Sequence, residues 1–232
     1  METEFIYERV KTPVGVKVEL VSGSEQRSGN VWRAMALQVY KENGRDGYRD
    51  VVHTADGAPL LYSEPERISV THTDHLLAVA TLPPTPEVDL ERFSERAALG
   101  IDAERTDREQ VLKVRPRFLT EQEQALIPAG SLEANILAWT AKEAVYKAAL
   151  TPGLDFQSAI RITALPVPGG ALGSAEADIP VPTPEAAGAE AAGAEAAAEV
   201  RTVPFRLCSF AYGEYLLTLA ITPRTATWAK AR

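Results

Sequence analysis

Cysteine is nearly missing from this chain: Cys208 is the only one in 232 residues. A single thiol excludes an internal disulfide and a Cys-based zinc site. Its setting in the apolar run 205–210 makes it a small core residue. Long apolar runs are also lacking, since no stretch of 18 apolar residues occurs, so no transmembrane helix is expected. The first residues carry neither a basic n-region nor an apolar h-region of a secretory signal. Positive charge is in deficit, with 24 Lys and Arg against 32 Asp and Glu, which argues against nucleic acid as a general partner. These absences predict a cytoplasmic protein that binds neither nucleic acid nor membrane. The rest of the composition is that of a soluble globular protein, long enough to bury a core as one domain or two small ones.

Periodicity supplies the elements. Strands are expected over 14–21, 68–73, 76–82, 100–104 and 159–165, with a hairpin of 201–212 and 214–222 around Gly213. Helical spacing covers 31–41, 90–99, 107–114 and 120–127, the last with Thr120 and Glu123 in capping-box positions. The longest helix is expected over 131–150, capped by Ser131 and stopped by Thr151-Pro152-Gly153. The tract 169–199 repeats Ala-Ala-Gly-Ala-Glu and has few residues able to pack, which predicts a mobile surface insertion or transient helix. The pattern is α+β, divisible into halves 1–96 and 97–232.

Two faces of the long helix matter. Leu137, Ala141, Ala144 and Ala148 form one stripe whose alanines invite another backbone to approach. Trp139, Glu143 and Lys147 share a different line. In the strand 100–104, Asp102 and Glu104 point to the same side. With Glu143 they would give three oxygen donors, a set that suits magnesium, and Lys147 would meet phosphates as a point charge. Spacing alone does not bring Glu143 to Asp102, and two acids in a strand are more often a surface feature.

The ordered segments Gly100-Ile-Asp-Ala-Glu104, Arg117-Phe-Leu-Thr-Glu-Gln-Glu123 and Trp139-Thr-Ala-Lys-Glu-Ala-Val-Tyr-Lys147 resemble the 4'-phosphopantetheinyl transferases. Upstream, Ser69-Val-Thr-His-Thr73 and Gly57-Ala-Pro59 resemble the longer, surfactin-synthetase-activating type. The resemblance implies two similar α/β halves in a monomeric pseudo-dimer, with a ligand cleft between them. It implies transfer of the phosphopantetheine arm of coenzyme A to a serine of an acyl or peptidyl carrier protein. Asp102, Glu104 and Glu143 then match the Mg2+ ligands, Lys147 the pyrophosphate contact, and His72 and Thr71 coenzyme A contacts. Glu143 and Lys147 are the catalytic candidates, with Glu143 a possible acceptor of the serine proton. Ala58 stands where the family often has a phosphate-binding lysine, a role left to Arg45 and Arg49. The other reading is a non-catalytic relative that binds coenzyme A or carrier proteins. Arg105, Arg108, Lys113, Arg115 and Arg117 outnumber the acids between them and are expected to dock an acidic carrier.

Overall fold

The computed structural model describes residues 5–23, 51–53, 59–61, 67–82, 98–151, 153–182 and 198–222. A first antiparallel sheet contains β1 (Phe5–Lys11), β2 (Lys17–Gly23), β5 (Arg67–His72) and β6 (Leu76–Leu82) in the order β1-β2-β6-β5. Strands β3 (Val51–His53) and β4 (Pro59–Leu61) form a separate pair. The second antiparallel sheet has the order β7-β11-β10-β9-β8, from β7 (Leu99–Arg105), β8 (Ile160–Ala164), β9 (Gly173–Pro182), β10 (Ala198–Tyr212) and β11 (Tyr215–Ile221). Helices α1 (Gln110–Phe118), α2 (Glu121–Leu126) and α3 (Leu132–Ala149) lie between β7 and β8 in the chain. The architecture is α+β.

Alternation along the strands of the second sheet separates two cores. Ile101, Ala103, Leu217 and Leu219 face the first sheet and pack on Val18, Leu20, Ala78 and Ala80. Leu207, Leu216 and Ala220 on the opposite face pack on Ile136, Ala141, Ala144 and Val145 of α3. The second sheet is therefore the middle layer, and its first core draws residues from both sides of the 96/97 division. Helix α3 starts where Ser131 Oγ accepts the Ala134 N–H (3.2 Å) and ends at Leu150, which is left-handed with φ of 49°. Its alanine stripe receives β7. A Cβ on Gly100 would stand 1.9 Å from the Ala144 carbonyl oxygen, so only glycine allows the strand this close.

Two expectations change. The tract 169–199 is not all insertion: Gly173–Pro182 is β9, paired along its whole length with β10. Ala175 and Ala177 are small enough to lie flat in the core while Glu176 and Asp178 alternate outward, so low complexity concealed a strand pattern. The Ala-Gly-Glu repeats, the helix expected over 31–41 and residues 90–97 of the helix expected over 90–99 lie outside the described residues, while Leu99, expected to close that helix, opens β7.

Candidate active site

The site is built where β7 lies under α3. Even-numbered residues of β7 face the helix, and β7 is an edge of its sheet. Asp102 is 6% exposed. Its Oδ1 accepts from Lys147 Nζ at 2.8 Å and from Thr71 Oγ1 at 3.0 Å. Its Oδ2 is buried and has no hydrogen-bond partner among the described residues. Lys147 also donates to the Ile101 carbonyl at 3.1 Å. Two residues along β7, Glu104 Oε1 accepts from Trp139 Nε1 at 3.1 Å and from Arg108.

Glu143 lies on the α3 line between Trp139 and Lys147. Burial pushes its pKa up, the charge of Asp102 pushes it further, and Lys147 and Arg108 oppose the shift. Glu143 thus lies within electrostatic reach of Asp102, Lys147 and Arg108. Trp139 is fixed by Phe118 (edge-on, centroids 5.1 Å apart) and Phe156 (5.5 Å), with the Arg108 guanidinium 5.8 Å from its ring centroid.

Oxygen-only donors, one of them a buried carboxylate oxygen with no partner, fit a hard divalent cation such as Mg2+. Among the described residues no three acids stand close enough to share an ion as placed; Glu104 is turned to Arg108 and Trp139. Of the remaining sequence candidates, His72 is exposed at the end of β5, and Thr71 is buried against Asp102. Arg45, Arg49 and Ala58 lie outside the described residues.

Three of the five cations expected to dock a carrier have partners within the chain. Arg105 holds Asp107 through two bonds (2.8 and 2.7 Å) and Glu214 through a third (2.8 Å). Arg108 holds Glu104. Arg115 turns inward, donating to Asn135 Oδ1 (3.0 Å), the Gln124 carbonyl (2.8 Å) and the Ile127 carbonyl. Lys113 and Arg117 stay exposed. Nearby acids and helix-end carbonyls therefore absorb most of a charge excess counted along the chain.

Sequence reasoning passed over Lys142. It is fully buried, and its Nζ donates to Glu123 Oε2 (2.9 Å) and to the carbonyls of Phe156 (3.3 Å), Gln157 (3.1 Å) and Ile160 (2.6 Å). The signal was its place beside Ala138, Ala141 and Val145 on the apolar side of α3. A groove of about 600 Å³ opens elsewhere, between the tips of β1 and β2 and the β10–β11 hairpin. Among the described residues its lining includes Glu8 and Glu214 but neither lysine nor arginine, a set that does not suit phosphates.

No curated protein matches the chain. Residues 98–181, the stretch that carries Asp102, Glu104, Arg108, Trp139, Glu143 and Lys147, match the family model of the 4'-phosphopantetheinyl transferase superfamily.

Proposed function

We propose that the chain transfers the 4'-phosphopantetheine arm of coenzyme A to a serine of an apo acyl or peptidyl carrier protein, releasing 3',5'-ADP, in the cytoplasm. One observation carries this reading: Asp102 Oδ2 is buried without a partner among the described residues, beside a Glu143 whose charge is disfavoured by burial and by Asp102. Of the two Asp102 oxygens Lys147 bonds only Oδ1, so Oδ2 is left uncompensated and suits a further cation. Asp102 and Glu143 would hold Mg2+, with Glu104 joining when it leaves Arg108, and the ion would neutralise charge on the pyrophosphate.

The side chains have distinct tasks. Lys147 sits beside Asp102 and offers an ammonium to the departing phosphate. Glu143 accepts the serine proton, directly or through a water, as the serine Oγ attacks the β-phosphorus and the bond to the bridging oxygen breaks. Trp139 and Arg108 keep Glu104 beside the site. His72, exposed, contacts a coenzyme A phosphate, and Arg45 and Arg49 supply the cation missing at Ala58. The finer picture is a monomer of two similar halves with coenzyme A between them.

The test is phosphopantetheine incorporation into a panel of apo carriers, followed by intact mass with and without Mg2+. Mg2+-dependent mass gain on any carrier supports the reading. Coenzyme A binding without transfer to any carrier would replace it by the non-catalytic one.

A further inference from the structure

We propose, building on that reading, that Ser69 and Thr71 form a clamp between the two sheets that aims the open oxygen of Asp102. Thr71 is then a positioning residue and not a coenzyme A ligand. Among the described strands both β5 and β7 are sheet edges, and none of these strands bonds the outward backbone groups of β7. Side chains serve instead. Ser69 Oγ accepts the Ile101 N–H at 3.0 Å, and Lys147 Nζ covers the Ile101 carbonyl at 3.1 Å. Thr71, two residues after Ser69 and on the same side of β5, reaches Asp102 Oδ1 at 3.0 Å.

Burial decides what Thr71 can do. It is 5% exposed and Ser69 is 4% exposed, which leaves no room for a phosphate at either hydroxyl. The one hydroxyl proton of Thr71 is committed to Asp102. A carboxylate is planar, so two donors on Oδ1 fix both its plane and the direction of Oδ2. Lys147 alone would do this poorly, because its flexible stem is 30% exposed. If Lys147 turns toward a substrate phosphate, Thr71 is the tether that remains. The clamp comes from the first sheet and the carboxylate from the second, so metal affinity depends on how the sheets dock.

The experiment compares full-length wild type, Thr71→Val, Thr71→Ser and Ser69→Ala. Mn2+ binding is measured by electron paramagnetic resonance, with coenzyme A present and carrier absent so that no turnover occurs. Coenzyme A binding is measured by calorimetry at saturating Mg2+. Loss of an outer partner of a metal ligand typically weakens the metal about 10-fold or more. Thr71→Val should do so while changing coenzyme A affinity less than about 2-fold, and Thr71→Ser should restore the metal. A Thr71→Val protein that binds Mn2+ as wild type does but loses coenzyme A would overturn the clamp, as would a wild type that binds no Mn2+. Should Thr71→Val not fold, Ser69→Ala, which loses only the Ile101 tether, decides by the same comparison. Absence of transfer to every carrier would sink the proposed reaction; the Mn2+ measurements judge the clamp independently.

Discussion

Replacing Lys142 by methionine separates a structural lysine from a catalytic helix. The substitution roughly keeps the stem and removes the ammonium, leaving Glu123 (3% exposed) without its counter-charge and three carbonyls without their donor. Glu123 keeps the N–H groups of Ile162 (2.7 Å) and Thr120 (2.8 Å) and the Thr120 hydroxyl (3.0 Å). Breaking one side of a buried pair costs about 3–5 kcal/mol. For a protein of this size 1 kcal/mol moves the melting temperature by about 2–4 °C, so a fall on the order of 10 °C is expected by scanning calorimetry. The same network ties α2, α3 and β8 together but does not touch Asp102 or Glu104. Activity of the folded protein well below its melting point should stay within about 3-fold of wild type, a range that surface-like changes also span. Adding Glu123→Gln to Lys142→Met removes the stranded charge and should recover part of the loss, a non-additivity that identifies the pair as coupled. A melting temperature within about 3 °C of wild type, less than the shift expected for even a small part of that loss, would refute the network's structural role. So would a collapse of turnover without loss of stability.

Other perturbations read separate parts of the molecule. Glu143→Gln should lower kcat by about 100-fold or more yet raise the melting temperature, because burial and Asp102 both disfavour its charge. Gly100→Ala should lower the denaturant midpoint, overpacking costing about 1–3 kcal/mol or more, since its Cβ meets the Ala144 carbonyl at 1.9 Å. Asp178 is held down to about 2, first by Arg161 and then by Thr202. Its stabilisation is present above the ordinary value of 3.8 and disappears as pH falls toward about 2. Asp178→Asn should therefore cost about 1 kcal/mol near neutral pH after solvent screening and converge with wild type in acid unfolding. Lys113→Glu with Arg117→Glu should raise KM for the carrier in a salt-dependent way with KM for coenzyme A unchanged, whereas Arg115→Glu should destabilise the fold measured by circular dichroism.

Features governed by neighbours in the chain were legible. The Thr120–Glu123 capping box, the Ser131 cap and the hairpin at Gly213 depend on turn chemistry within a few residues, and all are present. The alanine stripe announced a close backbone without naming it; β7 is that backbone. What the chain did not reveal was the choice of partners. Glu123 looked like a cap alone, yet it also binds Lys142, 19 residues away. Arg105, Arg108 and Arg115 looked like a surface patch, yet each is engaged in the fold. β9 escaped notice because alanine gives weak strand signals, and only pairing with β10 makes those alanines a core face.

Glu143 and Lys147 make the sharpest case of that limit. On an isolated helix an i, i+4 Glu–Lys pair is a modest surface contact. Here β7 intervenes, and the Lys147 ammonium goes to Asp102 and the Ile101 carbonyl. The acid group then holds three carboxylates, Asp102, Glu104 and Glu143, against two cations, Arg108 and Lys147: three negative less two positive, a net charge of −1. A divalent cation alone would turn that to +1, and a pyrophosphate alone would add negative charge to an acidic pocket. With the pyrophosphate carrying about two negative charges, the two together return the site to −1 instead of leaving it at −3. The metal would draw a carboxylate from Arg108 or Lys147 and free that cation for the pyrophosphate, and the pyrophosphate would draw the cation and free the carboxylate for the metal. In the proposed reaction the metal and coenzyme A should therefore bind with positive coupling, each tightening the other by the same factor. Calorimetric titration of each in the presence and absence of the other measures that factor, and a value of one would show that the acids and their cations do not exchange partners in this way.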